Sequence, residues 1–320
     1  MTISKDRTVT ILGINGHFGH HAALAFAKAG WDVRGFGRTN KKPIKGVRFI
    51  QGDAENVAEM RAAIGGSAVV VNALNLPYDQ WDKGRKEAQT ARVIEAAEAP
   101  GRTLMYPGNV YNYAANDRRI TPDMAQHPET PRGAIRVRCE QMLAEAAAHG
   151  EMQVLILRAG DFYGPDCTGD WFDQGILREA GKGKVAIPGA PEIAHAWAYL
   201  PDFGAAFVNV AALRETLAPF ETFHFAGHFV TNQALFTAIE KAAPVRVKQV
   251  VFPWMLFRAA GLFSGFTREI VKMRYLWQYP MELVDPRLSA ILGPDFGTPF
   301  DEAVATVVRP FFSAQSKAAA

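Results

Sequence analysis

The chain contains 320 residues, enough for one large domain or for one domain with an additional lobe. Hydrophobic residues make up 48% and charged residues 21% of it, the ordinary range for a soluble globular protein. The net charge of +3 is too small to indicate nucleic-acid binding, and the 2 cysteines do not suggest a disulfide framework. The polar residues 1–7 lead directly into a strand pattern, and no run of about 18 apolar residues follows. We therefore expect a cytoplasmic protein with no membrane span and no nucleic-acid partner.

A glycine-rich turn separates the first predicted strand, residues 9–12, from a helical pattern that runs to residue 29. Gly13, Gly16 and Gly19 stand at three-residue intervals in this turn. Glycines let the backbone approach a pyrophosphate, and the helix start presents free N–H groups to that anion. The stretch therefore predicts dinucleotide binding, and the alternative is a glycine turn retained only for packing. Three further expected cofactor contacts on the turn are Asn15, His17 and Phe18.

A second predicted strand covers residues 32–36, and the residues after it bear on the type of cofactor. An acid at this point binds a ribose hydroxyl in NAD sites, whereas an arginine suits the 2′-phosphate of NADP. The sequence has no acid here and supplies three cations, Arg38, Lys41 and Lys42. This pattern favours NADP over NAD, and the alternative is a solvated basic loop.

A third predicted strand, residues 47–51, is followed by Asp53 and Ala54. At the carboxyl end of a strand, Asp53 is placed to accept a hydrogen bond from an adenine amino group. Its alternative role is an N-cap for a predicted helix over residues 56–64. We include both residues among the expected cofactor contacts.

The fourth predicted strand, residues 68–73, is almost entirely apolar, as expected when both faces of a sheet are covered. Ala73, Leu74 and Asn75 at its end should lie against the cofactor. Helices are then predicted over residues 80–99 and 135–149, and strands over residues 103–106 and 153–157. This alternation predicts an α/β fold with a Rossmann-type, doubly wound parallel sheet.

Five segments occur in the order found in a known family: Gly13-x-x-Gly16-x-x-Gly19, Gly52-Asp53, Asn109-Val110-Tyr111, Arg158 to Pro165 and Ala198 to Ala206. Together they resemble an extended or atypical short-chain dehydrogenase/reductase of the NAD-dependent epimerase/dehydratase type. The resemblance implies a dinucleotide-binding domain of residues 1–165 plus about 194–230. It also implies a smaller substrate lobe of about residues 166–193 plus 231–312, and residues 313–320 are expected to be a disordered tail. By position it implies cofactor contacts at Pro107, Arg136, Ala159 and Asp161.

The chain departs from this family at the catalytic residues. The resemblance implies a tyrosine acid/base four residues before a lysine, together with a serine or threonine. None of the 8 tyrosines is followed by lysine at that spacing. Aligning Glu140 with a glutamate common in the family places Arg136 at the lysine and Arg132 at the tyrosine. Pro107 then stands at the serine or threonine.

Three interpretations remain open. In the first, the protein is an oxidoreductase or epimerase whose acid is Tyr111 or Tyr113, with Arg136 orienting a ribose or a substrate anion. In the second, it binds NADP(H) without turnover, as a sensor or regulatory protein. In the third, it holds another ligand and the cofactor is structural. The alternative role of Tyr111 and Tyr113 is ordinary packing beside the cleft. The alternative for Arg136 is a surface arginine on a helix.

The C-terminal part is rich in large apolar residues, above all over residues 252–279, where Arg258, Arg268, Lys272 and Arg274 interrupt them. This segment is interpreted as the core of the small lobe. The alternatives are an apolar wall for a bulky small-molecule substrate, a homodimer interface or a membrane-surface patch. His195 is expected to hydrogen-bond structurally, and no Cys/His spacing indicates a metal. Later elements are predicted as strands over 222–225 and 245–251 and helices over 231–243, 285–292 and 299–308.

Overall fold

A central parallel sheet organises the protein in a computed structural model that describes residues 6–150, 152–166 and 169–316, with side chains to residue 312. The strands are β1 (Thr8–Leu12), β2 (Asp32–Gly37), β3 (Val47–Gln51), β4 (Val69–Asn72), β5 (Thr103–Asn109), β6 (Arg119–Ile120), β7 (Gln153–Ala159), β8 (Asp161–Tyr163), β9 (Lys184–Ile187), β10 (Ala194–Tyr199), β11 (Phe220–His224), β12 (His228–Thr231), β13 (Lys248–Val251) and β14 (Glu282–Leu283). The helices are α1 (His17–Lys28), α2 (Val57–Ile64), α3 (Arg85–Ala97), α4 (Pro131–Ala148), α5 (Leu200–Ala212), α6 (Asn232–Ala242), α7 (Trp254–Ala260), α8 (Gly265–Lys272), α9 (Pro286–Leu292) and α10 (Phe300–Ser316).

The sheet has seven strands in the order β3-β2-β1-β4-β5-β7-β11, and each neighbouring pair is parallel. The chain reverses its direction of growth between β1 and β4, and the carboxyl ends of these strands border the crevice where doubly wound folds bind ligands. This arrangement confirms the predicted Rossmann-type α/β fold.

Both faces of the sheet are covered, which explains the continuous apolar strands. Helices α1, α5 and α9 pack on one face, where Phe26, Phe207 and Leu288 of the helices share a buried cluster with Ile11 of β1. Helices α2, α3 and α4 cover the opposite face, where Leu104 and Leu143 are buried. A strand with covered faces needs no polar alternation, so Val69, Val70 and Val71 are all buried in succession.

A second apolar core lies beside the carboxyl edge of the sheet. It joins residues after β5, such as Val110 and Ile120, to aromatic residues of the C-terminal part, such as Trp197 and Trp277. Three small sheets, β12-β10-β8, β13-β9 and β14-β6, accompany it. The lobe core therefore includes residues from the middle of the chain that its predicted bounds, 166–193 plus 231–312, leave out.

Several observed boundaries differ from the predicted ones. Helix α3 begins at Arg85 and not at residue 80, since a 3₁₀ turn over Tyr78–Gln80 and left-handed Gly84 precede it. Helix α4 begins at Pro131 and not at residue 135, because the Thr130 side chain caps it by accepting from the Gly133 N–H. The last helix includes residues 313–316, which were expected to be disordered. Residues 317–320 lie outside the described part of the chain.

The apolar segment over residues 252–279 divides into two parts, so its interpretation as lobe core holds for only some of it. Phe252, Met273 and Trp277 are buried in the lobe core. Other large apolar side chains on α7, α8 and the turn between them are exposed, namely Met255, Leu256, Leu262, Phe263 and Phe266. Within the described residues, no helix has both the length and the apolar character to cross a bilayer.

Candidate active site

The three glycines of the turn between β1 and α1 have different structural roles. Gly13 has a φ of +89°, and a Cβ there would lie 2.9 Å from the Ala73 carbonyl oxygen. A Cβ on Gly19 would collide with the Gly13 carbonyl oxygen. The nearest atom to a Cβ on Gly16, in contrast, would be 3.4 Å away, and Gly16 faces an open cavity. Gly13 and Gly19 are therefore required by packing, while Gly16 leaves room for a ligand.

The amino terminus of α1 opens into a cavity of about 850 Å³. No side chain caps this helix end, and its first turn contains no acid. The uncapped N–H groups and the positive end of the helix dipole suit an anion such as a pyrophosphate. The residues present therefore fit a dinucleotide at this place.

The expected cofactor contacts fall into two groups. Those that line the cavity are Gly16, His17, Phe18, Ala73, Leu74, Asn75, Pro107, Arg136 and Asp161. Those outside the cavity lining are Gly13, Asn15, Gly19, Arg38, Asp53, Ala54 and Ala159. The first group therefore lies around the cavity, and the second lies at the glycine turn, in the loop after β2 and at the carboxyl ends of β3 and β7.

The Asn15 side chain connects the glycine turn to the loop after β2 through hydrogen bonds. Its Nδ2 donates to the Thr39 carbonyl oxygen at 2.6 Å, and its Oδ1 accepts from the Lys41 N–H at 3.1 Å. Arg38 is exposed in this loop, and the described residues offer it no ion pair. Lys42 is engaged elsewhere, since its Nζ donates to the Asp166 carbonyl oxygen at 3.0 Å. Of the three cations, Lys42 is therefore engaged within the chain, whereas the exposed side chains of Arg38 and Lys41 are available to a ligand.

Asp53 is exposed and makes a local turn. Its Oδ1 accepts from the Glu55 N–H at 3.0 Å, and its own N–H donates to the Glu59 carboxylate at 2.8 Å. It does not cap α2, because the Asn56 side chain does so by accepting from Ala58 and Glu59. The alternative of an Asp53 N-cap was therefore wrong, and an adenine contact stays a prediction.

Arg136 enters the cavity from α4 and meets two aromatic residues. Its Nη1 donates to the Tyr106 hydroxyl, and its guanidinium lies 4.8 Å from the centre of the Trp81 ring. Burial raises the pKa of Tyr106 to about 12, and the charge on Arg136 opposes that rise. Arg136 is buried, so the alternative of a surface helix arginine was wrong. The guanidinium can stabilise negative charge in the cavity but cannot act as a base.

Tyr111 and Tyr78 form a second pair at the same end of the cavity. Their rings meet edge to face with centroids 6.3 Å apart, and both line the cavity. Burial raises the pKa of Tyr111 well above its ordinary value, and Arg136 opposes that rise. The Tyr111 hydroxyl therefore stays protonated at neutral pH and can donate a proton or a hydrogen bond.

Tyr113 does not reach the cavity. Its hydroxyl lies 3.5 Å from His224 Nε2, and the Arg158 guanidinium stacks over its ring at 5.3 Å. Its side chain is fully buried in the lobe core. The expectation that Tyr113 is a candidate acid is therefore corrected: its contacts are those of a packing residue.

Arg132 stands where the family resemblance places the catalytic tyrosine, and it is committed to two carboxylates. Its Nη atoms donate to both Asp82 oxygens at 3.1 Å, and its Nε donates to Glu269 at 3.1 Å. These contacts tie α4 to α8 and to the turn before α3. Arg132 is thus a structural ion-pair centre with no proton to give at neutral pH.

The structure adds three residues that sequence reasoning had not assigned to the site. Tyr106 and Trp81 hold Arg136, and they belong to a strand and a turn that showed no motif. Lys86 is buried behind the Leu74 loop, and its Nζ donates to the Leu74 carbonyl oxygen at 3.2 Å. Burial lowers the pKa of Lys86 to about 7. A lysine on the apolar stripe of α3 was the only sequence signal for it.

Two histidines of the cavity region have structural partners. His17 hydrogen-bonds to the Asp170 carboxylate through Nδ1, which brings the segment after β8 against the glycine turn. His195 Nε2 lies 2.9 Å from the Asp161 carboxylate, and its ring stacks on Trp277 at 3.9 Å. These contacts agree with the expected structural role of His195.

The far half of the cavity is mainly apolar. Its walls there are Trp171, Phe252, Phe257, Phe266, Ile270 and Met273. In the described part of the chain, no group of three metal-binding side chains occurs. The site thus joins an anion-binding helix end, the Arg136 cation with three tyrosines (Tyr78, Tyr106 and Tyr111), and an apolar chamber.

The fold is similar to solved structures along nearly its whole length. MoeE5 in complex with UDP-glucose and NAD is 18% identical, with 97% of this chain and 99% of that chain covered and a TM-score of 0.75. A UDP-glucose 4-epimerase from Brucella ovis in complex with NAD is 16% identical, with 96% and 98% covered and a TM-score of 0.74. A UDP-glucuronic acid 4-epimerase from Bacillus cereus in complex with NAD is 13% identical, with 96% and 99% covered and a TM-score of 0.71. At these identities the likeness shows a shared fold.

No curated protein sequence matches the chain. The sequence profile of a family described as NAD dependent epimerase/dehydratase matches residues 9–224, which is most of the chain. That range contains the glycine turn, Arg136 with Tyr106 and Tyr111, and six of the seven central strands in full. It ends at the last residue of β11. The chain belongs to the NAD dependent epimerase/dehydratase family.

Proposed function

We propose that the protein is an NADP(H)-dependent oxidoreductase that reduces a carbonyl compound to an alcohol, with non-standard catalytic residues. The observation that carries this proposal is one cavity that contains both the uncapped start of α1 and the Arg136–Tyr106–Tyr111 group. A nicotinamide, when bound, supplies the hydride. The chain itself has to hold the cofactor, orient the substrate carbonyl and provide a proton.

Tyr111 is the proton donor in this proposal. Its raised pKa keeps the hydroxyl protonated at neutral pH, so it can protonate an alkoxide. Arg136 stabilises negative charge on the substrate oxygen and cannot remove a proton.

The preference for NADP rests on the exposed Arg38 and on the absence of an acid after β2. A guanidinium forms strong charge-assisted hydrogen bonds with a phosphate. An acid, which would hydrogen-bond an unphosphorylated ribose, is missing at this point.

The substrate in this proposal has a bulky apolar body. Solved structures of similar fold carry UDP-glucose or UDP-glucuronic acid. A sugar nucleotide brings a diphosphate, which binds best to several cations. The arginines that line this cavity are Arg136 and Arg178, whereas its far half has four aromatic side chains, Trp171, Phe252, Phe257 and Phe266.

The test is NADPH oxidation, followed by absorbance, over a panel of aldehydes, ketones and sugar nucleotides. We expect Tyr111→Phe to reduce the rate by about 10²–10⁴ at unchanged NADPH affinity, the usual contribution of a positioned proton donor. Tyr113→Phe is the matched control, because its hydroxyl lies outside the cavity, and it should keep the wild-type rate.

Two outcomes would contradict the assignment. Activity that survives Tyr111→Phe and is lost in Tyr106→Phe would transfer the donor role to the hydroxyl beside Arg136. NADPH binding without turnover of any panel member would favour the second candidate, a silent NADP(H)-binding regulatory protein. The observation behind that candidate is the ion-paired guanidinium of Arg132, at the position that the family resemblance assigns to the acid.

A further inference from the structure

Helices α7 and α8 form a hairpin whose outer surface is apolar. We call its five exposed apolar side chains the α7–α8 tip: Met255, Leu256, Leu262, Phe263 and Phe266. Phe263 is 94% exposed, Leu262 75% and Met255 74%. Single exposed apolar residues are ordinary, but a cluster of this kind marks an interaction surface.

The tip lies in a basic part of the chain. Residues 245–280 contain six cations, namely Arg246, Lys248, Arg258, Arg268, Lys272 and Arg274. The single acid in that range, Glu269, is buried and paired with Arg132 and Lys272. Since the whole chain has a net charge of only +3, the remainder of the molecule is net negative. The segment that carries the tip is therefore basic, whereas the rest of the chain taken together has no net positive charge.

Two of these cations are free to face an external anion. Arg258 and Arg268 are exposed on α7 and α8, and the described residues provide neither with an ion pair. Arg268 does donate through Nε to the Gly261 carbonyl oxygen at 3.0 Å, which holds its side chain over the turn of the hairpin.

We propose that the α7–α8 tip inserts into the interfacial layer of an anionic lipid bilayer. Apolar side chains beside arginines and lysines are the pattern of helices that lie at such an interface, where the cations pair with anionic headgroups. A second copy of the chain fits this surface less well, because a symmetric contact through the tip would bring like charges together. The bilayer is therefore the occupant that matches both the apolar area and its charge.

The hairpin also forms part of the cavity wall. Phe257, Phe266 and Ile270 line the apolar half of the cavity, and Phe266 belongs to the tip as well. Docking would place the apolar end of the cavity beside the bilayer, where amphipathic molecules are concentrated. This consequence rests on the proposed function, whereas the docking itself does not and is measured without turnover.

The experiment is vesicle flotation of the full chain. We expect the wild type to float with vesicles that contain about one-third phosphatidylglycerol and to remain behind with pure phosphatidylcholine. The double variant Leu262→Ser, Phe263→Ser should reduce the bound fraction about tenfold or more, because it removes the side chains that insert. Arg258→Glu with Arg268→Glu should abolish the preference for anionic vesicles.

Leu24→Ser is the matched control, since Leu24 is an exposed apolar residue on α1, far from the tip in sequence, and its variant should bind like the wild type. Circular dichroism checks that each variant is folded, which the high exposure of the substituted residues favours. No flotation of the wild type with anionic vesicles, or equal binding by the double tip variant, would overturn the proposal. So would sedimentation that shows a wild-type dimer which the tip variant converts to monomers.

Discussion

At the scale of single residues, Arg38 determines the cofactor preference in our proposal. We expect the wild type to bind NADPH more tightly than NADH and Arg38→Ala to lose about 10-fold to 100-fold in NADPH affinity. The reason is that charge-assisted hydrogen bonds to a phosphate contribute roughly 1.5–3 kcal/mol. Isothermal calorimetry with both cofactors measures this. NADH affinity should change little, because NADH has no 2′-phosphate.

Arg48→Ala is the control for that measurement, since Arg48 is an exposed arginine on the neighbouring strand β3. It should keep the wild-type affinity for NADPH. Equal affinities of the wild type for NADPH and NADH would remove the preference, and an Arg38→Ala variant with full NADPH affinity would assign the phosphate to other residues.

At the scale of elements, two glycines of the turn between β1 and α1 have different roles: Gly16 in binding and Gly19 in folding. We expect Gly16→Val to abolish NADPH binding in a folded protein, because a side chain there has room within the chain but occupies the approach of the pyrophosphate. Gly19→Val should instead lower the free energy of unfolding strongly, since its Cβ meets the Gly13 carbonyl oxygen. Calorimetry measures the binding, and denaturant titration measures the stability.

Gly66→Val is the matched control for the turn, because nothing lies within 4 Å of a Cβ at that position. It should bind NADPH like the wild type. If Gly16→Val retained wild-type affinity while circular dichroism showed a native fold, the cofactor site would lie elsewhere.

At the scale of the whole molecule, His17 connects the glycine turn to the segment after β8. Its Nδ1 contacts Asp170, and its Nε2 lies 3.0 Å from the Pro165 carbonyl oxygen. Burial lowers the pKa of His17, but the Asp170 carboxylate outweighs burial, so the pKa is raised above its ordinary value. The stabilisation is therefore complete below about pH 6.5 and is lost as the pH rises through the raised pKa.

We expect His17→Gln to lower the free energy of unfolding most at about pH 6 and progressively less toward about pH 9. Denaturant titrations at each pH measure the difference from the wild type. His21→Gln is the control of opposite sign. Burial lowers the pKa of His21 to about 4, so His21 itself opposes folding as the pH falls below its ordinary value. A His17→Gln difference that does not vary with pH would contradict the predicted coupling.

The sequence by itself determined the features that depend on neighbouring residues. The glycine spacing at Gly13, Gly16 and Gly19 indicated a strand–turn–helix unit, because such a turn requires residues without a Cβ for local steric reasons. The alternation of apolar strands with helices then indicated the parallel sheet, since a parallel pair needs a crossover. The helix predicted over residues 231–243 likewise agrees with α6 within one residue at each end, and its start is fixed locally, because the Thr231 side chain accepts from the Ala234 N–H only three residues on.

Only the tertiary structure decided which side chains share the cavity. Arg136 and Tyr106 are 30 residues apart, and His17 and Asp170 are 153 apart, so no local pattern links them. Tyr111 faces the cavity while Tyr113 faces His224, because the turn after β5 directs them differently. The sequence also could not predict which side of α7 and α8 is exposed, because an apolar run has the same pattern whether or not other elements pack over it. Side-chain direction and burial are set by long-range packing, and composition and periodicity carry no information about that packing.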